Sequence, residues 1–351
     1  MKSILDRIFV DGLGGMAQGL FATLIIGTII QQIGLFVGGE TGDMIYLAGK
    51  MAAAMTGAGI GVGVARKFQA DQLVVVSAAT VGMIGAFAGK LLAGEVMQDG
   101  AMVFAGPGEP LGAFVAAYIA IEIGILISGK TKLDIILTPL GCIGVGTLVG
   151  IFVGPPISKF MSWLGSLINW GTEQQPFLMG IVVSVLMGMI LTLPISSAAL
   201  GIILNLSGLA AGAATIGCCC NMVGFAVASF RENKFGGLLA QGIGTSMLQV
   251  PNIVRRPLIW LPAILSSAIL GPVGTMLLHM TSNATGSGMG TAGLVGQIMT
   301  WQVMTQTESA AIVLAKILVI QILLPAVLTW VFSEFMRKKN WIRYGDMQLD
   351  L

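Results

Sequence analysis

The sequence predicts an all-α integral membrane protein of about ten transmembrane helices, arranged as two inverted five-helix repeats with broken or re-entrant segments. Three observations lead there. Only 10% of the 351 residues are charged against 55% hydrophobic, and the mean hydropathy is +0.91. The run from Phe177 to Phe230 holds 54 residues without one charged side chain, and repeated apolar stretches of about 20 residues match the roughly 30 Å hydrocarbon core of a bilayer. The two halves also echo each other at an offset of 165. Gly15 falls on Gly180, Gly59 on Gly224, Arg66 on Arg231, Leu73 on Leu238, Thr80 on Thr245 and Gly106-Pro107 on Gly271-Pro272. Five spans per half is an odd number, so the second copy enters the membrane inverted.

The elements follow in order. Apolar windows place spans at 13–37, 44–65, 72–93, 110–128 and 133–153. The next segment, 155–175, carries Lys159, Trp163, Trp170 and Glu173, a mixture suited to the interface. Further spans are expected at 177–193, 212–230, 258–279 and 310–335, with a stretch broken at Pro194. Segments 236–250 and 286–303 are rich in Gly, Ser, Thr and Gln, as broken or re-entrant helices are where backbone faces protein or water instead of lipid. The domain reading is a first transmembrane repeat at 1–154, an interfacial linker at 155–175, a second transmembrane repeat at 176–336 and a cytoplasmic tail at 337–351. Fifty glycines suit helices whose backbones approach closely.

Basic residues set the orientation. With the N-terminus cytoplasmic and ten spans, 12 of the 18 basic residues share that side: Lys2, Arg7, Arg66, Lys67, Lys130, Lys132, Arg255, Arg256, Arg337, Lys338, Lys339 and Arg343. Lys90, Lys159, Arg231 and Lys234 face outward, as do Glu40, Asp43, Glu95, Asp99 and Glu109. Both termini are therefore expected in the cytoplasm. No cleavable signal pattern is visible among Lys2, Asp6, Arg7 and Asp11. A net charge of +2 gives no basis for binding nucleic acid. Cys142 and the run Cys218-Cys219-Cys220 read as small packing residues, since adjacent residues point different ways around a helix and cannot cage one ion. No metal or cofactor is expected.

Certain motifs are longer than composition explains: GCCCNMVGFAVASFREN (217–233), GGLLAQGIGTSMLQVPN (236–252), GPGEPLGAF (106–114) and GKTKLD (129–134). With these, the chain resembles the phosphotransferase-system EIIC type 2 family, which includes the PfoR-like membrane proteins, from about residue 11 to 335. The resemblance implies a permease subunit of a phosphoenolpyruvate-dependent sugar phosphotransferase system in a bacterial plasma membrane. Separate cytoplasmic IIA and IIB proteins would supply the phosphoryl group, and a homodimer is expected. The Gly-Ile-Thr-Glu-Pro signature of glucose-type subunits is absent. Two alternatives stand beside a permease: a membrane-embedded solute sensor or regulator of PfoR type, and an ion-coupled small-solute carrier.

Candidate solute contacts come from polarity inside apolar segments. Glu122 lies within the fourth span, where an ionisable group is costly and functional by default; its structural alternative is pairing with Lys130 or Lys132. Amides offer both donors and acceptors to a neutral sugar, and Asn205, Asn221, Gln241, Gln249, Asn252 and Gln297 gather in the glycine-broken second half. Glu109, between Pro107 and Pro110, sits at a helix entry. His279 ends an apolar segment and is a candidate ligand or proton carrier. The expected solute contacts are Glu122, Asn221, Gln241, Gln249, Asn252, Glu109 and His279. No catalytic residue is expected in this chain.

Overall fold

The computed structural model describes residues 7–98, 100–104 and 106–349. Lys2, Asp6 and Asp99, used above to orient the chain, lie outside them. The chain divides into two compact units, residues 1–162 and 163–351.

In the first unit, α1 (Val10–Val37) is a 28-residue apolar helix with a π-helical turn at Phe21–Ile25. Two helices follow, α2 (Gly39–Ala54) and α3 (Thr56–Lys67), bent by 51° at Met55. At the bend Thr56 Oγ1 donates to Ala53 O at 2.6 Å, a side-chain bond that competes with the regular helical ladder. Helix α4 (Gln72–Leu92) is straight and packs on α3 through Gly61, where a Cβ would overlap the Ala78 carbonyl. Two short antiparallel strands, β1 (Met97–Gln98) and β2 (Ala101–Met102), turn the chain into α5 (Pro110–Ile127). That helix starts where its sequence says it should: Pro110 occupies the first turn and the Glu109 carboxylate accepts from Leu111 N. Helix α6 (Asp134–Thr172) has 39 residues and three internal prolines, Pro139, Pro155 and Pro156. At 1.5 Å per residue it is about 58 Å long, beyond a bilayer's apolar depth. The segment expected as a linker, 155–175, lies mostly in its last third, and the division between the units falls there.

The second unit is built around α9 (Gly208–Ala228). Before it come α7 (Pro176–Thr192) and the short α8 (Ser197–Ile203), separated at Pro194. After it the chain breaks repeatedly: α10 (Phe230–Leu239), a π turn at Ala240–Gly244, an extended Thr245, a 3-10 turn at Ser246–Gln249 and α11 (Val250–Arg255). Then come α12 (Pro257–Leu277), α13 (Ala284–Ser287), α14 (Val295–Met304) and α15 (Ala310–Lys338). Helix α9 is buried on all sides, including Cys218, Cys219, Cys220 and Asn221. This explains the long charge-free run, because a helix apolar all round must be enclosed. Its tightest crossing is with α7 at Gly217, where a Cβ would overlap the Ser184 backbone.

Seven helices are long and apolar enough to cross a membrane, eight with the bent pair α2–α3 counted as one span, and α7 is a shorter apolar helix. Length and composition thus support seven to eight spans among the described residues, short of the expected ten, with α7 as a further apolar helix. Segments 194–205, 236–250 and 286–303 are broken into pieces too short to cross, as their Gly, Pro, Ser and Thr content anticipates. The offset of 165 sets α1 against α7, the break at Pro194 and α8, and the bent pair α2–α3 against the unbroken α9 and the start of α10. Beyond that it sets the straight α4 against the broken 237–257 segment, and Gly106-Pro107, in a loop, against Gly271-Pro272, inside α12.

Candidate functional site

Three of the candidate amides form one chain of hydrogen bonds in the second unit. Gln241 Nε2 donates to Ser229 Oγ at 2.9 Å. Gln249 Nε2 donates to Gln241 Oε1, and Asn252 Nδ2 to Gln249 Oε1, each at 2.9 Å. The breaks at 240–252 make this possible, since one regular helix would not aim 241, 249 and 252 at one another. The ladder ends on the chain's own C-terminal segment. Gln249 Nε2 also donates to Met347 O at 3.0 Å and Asn252 Nδ2 to Gln348 O at 2.8 Å. Asn233 Nδ2 reaches the same Met347 carbonyl, and Asn233 Oδ1 accepts from Leu349 N. Ile342 and Met347 are buried against Phe225, Ile253 and Ile259. Residues 342–349 of the expected cytoplasmic tail are thus packed into the unit. Their buried apolar side chains and amide-held carbonyls give the reason.

Asn221 is the centre of a second network. Its Oδ1 accepts from Trp260 Nε1 at 2.8 Å and Thr192 Oγ1 at 3.2 Å, and its Nδ2 donates to Gly217 O at 3.1 Å. Thr192 in turn shares a 2.8 Å hydrogen bond with Ser246, at the break after Thr245. Four elements, α7, α9, α12 and the 3-10 turn, meet at uncharged groups. Sequence reading missed Thr192, Ser246 and Trp260. Thr192, two residues before Pro194, and Ser246, which opens the 3-10 turn after Thr245, carried a signal in their position at helix breaks.

Glu109 and Glu122 belong to the first unit. Glu122 lies in α5 and pairs with Arg7, 2.8 Å from Arg7 Nε to Oε1 and 3.1 Å from Nη2 to Oε2. The structural alternative is met by another cation than Lys130 or Lys132: a residue 115 positions away reaches the carboxylate, and the Arg7 guanidinium also lies 4.7 Å from the Phe68 ring centre. His279 is exposed, with a positive φ of 47°, just past α12. Beside it Lys316 Nζ donates to Leu278 O at 2.8 Å and to Glu308 at 2.7 Å. A cation on that terminal carbonyl is an adequate structural role for Lys316. Among the described residues no group of three or more His, Cys, Asp or Glu is placed to hold a metal.

Burial pushes the Glu109 carboxyl up from 4.5 to about 7, partly offset by its bond from Leu111 N. A carboxyl that holds its proton more tightly when folded contributes stability that is fully present below about pH 4.5 and lost as pH rises through about 7. Melting temperatures of the purified protein should therefore fall between those limits. Glu109→Gln should flatten that slope; an unchanged slope in the variant would remove Glu109 as its source.

A family model described as Phosphotransferase system, EIIC matches residues 10–349, nearly the whole chain. The chain belongs to that family. It is therefore a multi-pass membrane protein of the EIIC permease type. A search of curated proteins found no match, and a search of solved structures found none. The EIIC match covers both units, the amide ladder and the tail that closes it.

Proposed function

We propose that this chain is the IIC subunit of a phosphoenolpyruvate-dependent sugar phosphotransferase system, carrying a small neutral hydroxylated solute across a bacterial plasma membrane by alternating access. Separate IIA and IIB proteins supply the phosphoryl group at the cytoplasmic face. The observation that carries this reading is the uncharged polar interior of the second unit, where Asn221, Thr192, Ser246 and Trp260 meet beside broken helices. Amides and hydroxyls can replace the water shell of a sugar without burying net charge. Solute contact is assigned to Asn221, Gln241, Gln249 and Asn252, the last two once they release the tail carbonyls. Glu122, Glu109 and His279 are the next positions to vary. An inverted duplication belongs to this reading for the first spans of each half, where the offset of 165 sets α1 against α7 and α2–α3 against α9; an experimental structure in which those pairs run in the same sense would end it. Both termini are placed in the cytoplasm by the 12 of 18 basic residues on that side, which a reporter fused after Leu349 tests.

The decisive experiment expresses the chain with IIA and IIB proteins in cells lacking other sugar uptake. Phosphoenolpyruvate-dependent accumulation of a phosphorylated hexose or hexitol is expected. Asn221→Ala and Gln241→Ala should each lower it by about tenfold, the scale of one lost hydrogen bond to a bound solute. No such accumulation with any tested sugar would overturn the reading.

A further inference from the structure

Two side-chain amide oxygens in the second unit are buried and accept no hydrogen bond, Gln297 Oε1 and Gln321 Oε1. Their residues are 8% and 0% exposed. Each amide has its N–H group engaged elsewhere. Gln297 Nε2 donates to Cys219 Sγ at 3.3 Å, and Gln321 Nε2 to Thr300 Oγ1 at 3.0 Å. Thr300 follows Gln297 by three residues in α14, so the two share a helix face. This series links α9, α14 and α15 in one place. Cys219 stands at the middle of α9, so that place is at mid-depth of the unit's central helix.

Irregular backbone flanks both amides. Gln297 comes three residues after Leu294, which has a left-handed φ of 59°. Gln321 lies within a π-helical turn, Leu318–Leu323, in the middle of α15. Such turns occur often at functional sites, since they displace a side chain from its regular position. A buried carbonyl oxygen left without a donor costs about 1–3 kcal/mol. Two of them on neighbouring helices need a ligand that brings donors. Gln297, Thr300, Gln321 and Cys219 supply no counter-charge, so an ion would be uncompensated and a neutral donor is favoured.

We propose that Gln297 Oε1 and Gln321 Oε1 are paired acceptors for two hydroxyls of a neutral polyol or sugar, bound at mid-depth between α9, α14 and α15. The inference rests on the solute-carrier reading and names contacts that reading did not include. Apolar replacements remove the unmet acceptors and should leave the empty protein folded, while a solute loses its contacts.

The test uses the full chain purified in detergent, with mannitol, sorbitol, fructose and glucose as probes. Gln297→Met and Gln321→Met should each weaken binding of whichever probe the wild type binds by about tenfold, the value of one hydrogen bond of about 1.4 kcal/mol. Their melting temperatures without solute should stay close to wild type. Unchanged affinity would overturn the proposal and leave a structural water only as the partner of these oxygens. A large loss of melting temperature in both variants would also overturn it, in favour of a packing role. If the wild type binds none of the four probes, the carrier reading fails separately, and the site is decided by iodoacetamide labelling of Gln321→Cys, read by mass spectrometry. Labelling well above that of buried Cys218 in the same sample supports a solvated site, and labelling no faster than Cys218 overturns it.

Discussion

Gly217→Val is expected to yield no folded protein, with aggregation in detergent where the wild type gives a single species. A Cβ at Gly217 would overlap the Ser184 carbonyl and Cα, and both atoms belong to backbone that cannot rotate aside. Helices α7 and α9 would have to separate. Inside a membrane protein that packing has little hydrophobic driving force to restore it, since lipid is as apolar as the side chains it would replace. The displacement would also pull Asn221 from its bonds to Trp260 and Thr192. The combined cost is on the order of 3 kcal/mol or more. Gly217→Ala, which introduces the same Cβ and nothing beyond it, should already lower the melting temperature by several degrees. Wild-type melting in both variants would mean that the crossing is looser than the backbone positions indicate.

Glu232→Gln should destabilise by about 3–5 kcal/mol, because it leaves a buried guanidinium without its carboxylate. The Glu232 side chain is 0% exposed and that of Arg337 9%, with Arg337 Nη2 2.8 Å from Oε1. Arg337 also donates to Ala228 O at 3.1 Å, so the pair joins the end of α9 to the end of α15. Gly345 N lies 3.4 Å from the same carboxylate, which extends the loss to the C-terminal segment. The paired replacement Glu232→Leu with Arg337→Met should recover most of that stability, as exchange of a whole buried ion pair for apolar groups commonly does. Melting of the single and double variants separates the two effects. A single variant as stable as wild type would show that the pair is solvated.

The spans were largely legible in the sequence because their signal is local. A run of apolar residues between Gly, Pro and charges sets α1, α4, α5, α12 and α15 nearly at their observed limits. The broken segments were legible for the same reason, since Gly, Ser and Thr near Pro194, Thr245 and Gly293 mark the chain itself. Long-range partners were not. Glu122 was read as a solute contact with Lys130 or Lys132 as its structural alternative, yet it meets Arg7, which only tertiary packing brings across 115 residues. The ladder of Gln241, Gln249 and Asn252 was foreseen as a cluster, but not its attachment to Met347 and Gln348, whose side chains carry no hint that their carbonyls are wanted. Gln321 did leave a mark: it is the one amide in the apolar stretch 310–335, and a polar side chain there implies a buried partner or a ligand. Its neighbourhood with Thr300 depends on a helix crossing that no spacing predicts.

The attachment of the C-terminal segment bears on the order in which the chain is made. Residues 229–252 are synthesised almost a hundred positions before Met347, Gln348 and Leu349. During that interval Asn233, Gln249 and Asn252 lack the backbone groups they hold in the finished protein. Unmet amides in an apolar setting are held by water or by a chaperoning surface. The second unit therefore cannot reach its final packing as its helices emerge one after another. It waits until residues 342–349 have been made, and its final packing is governed by that short segment rather than by the helices that precede it.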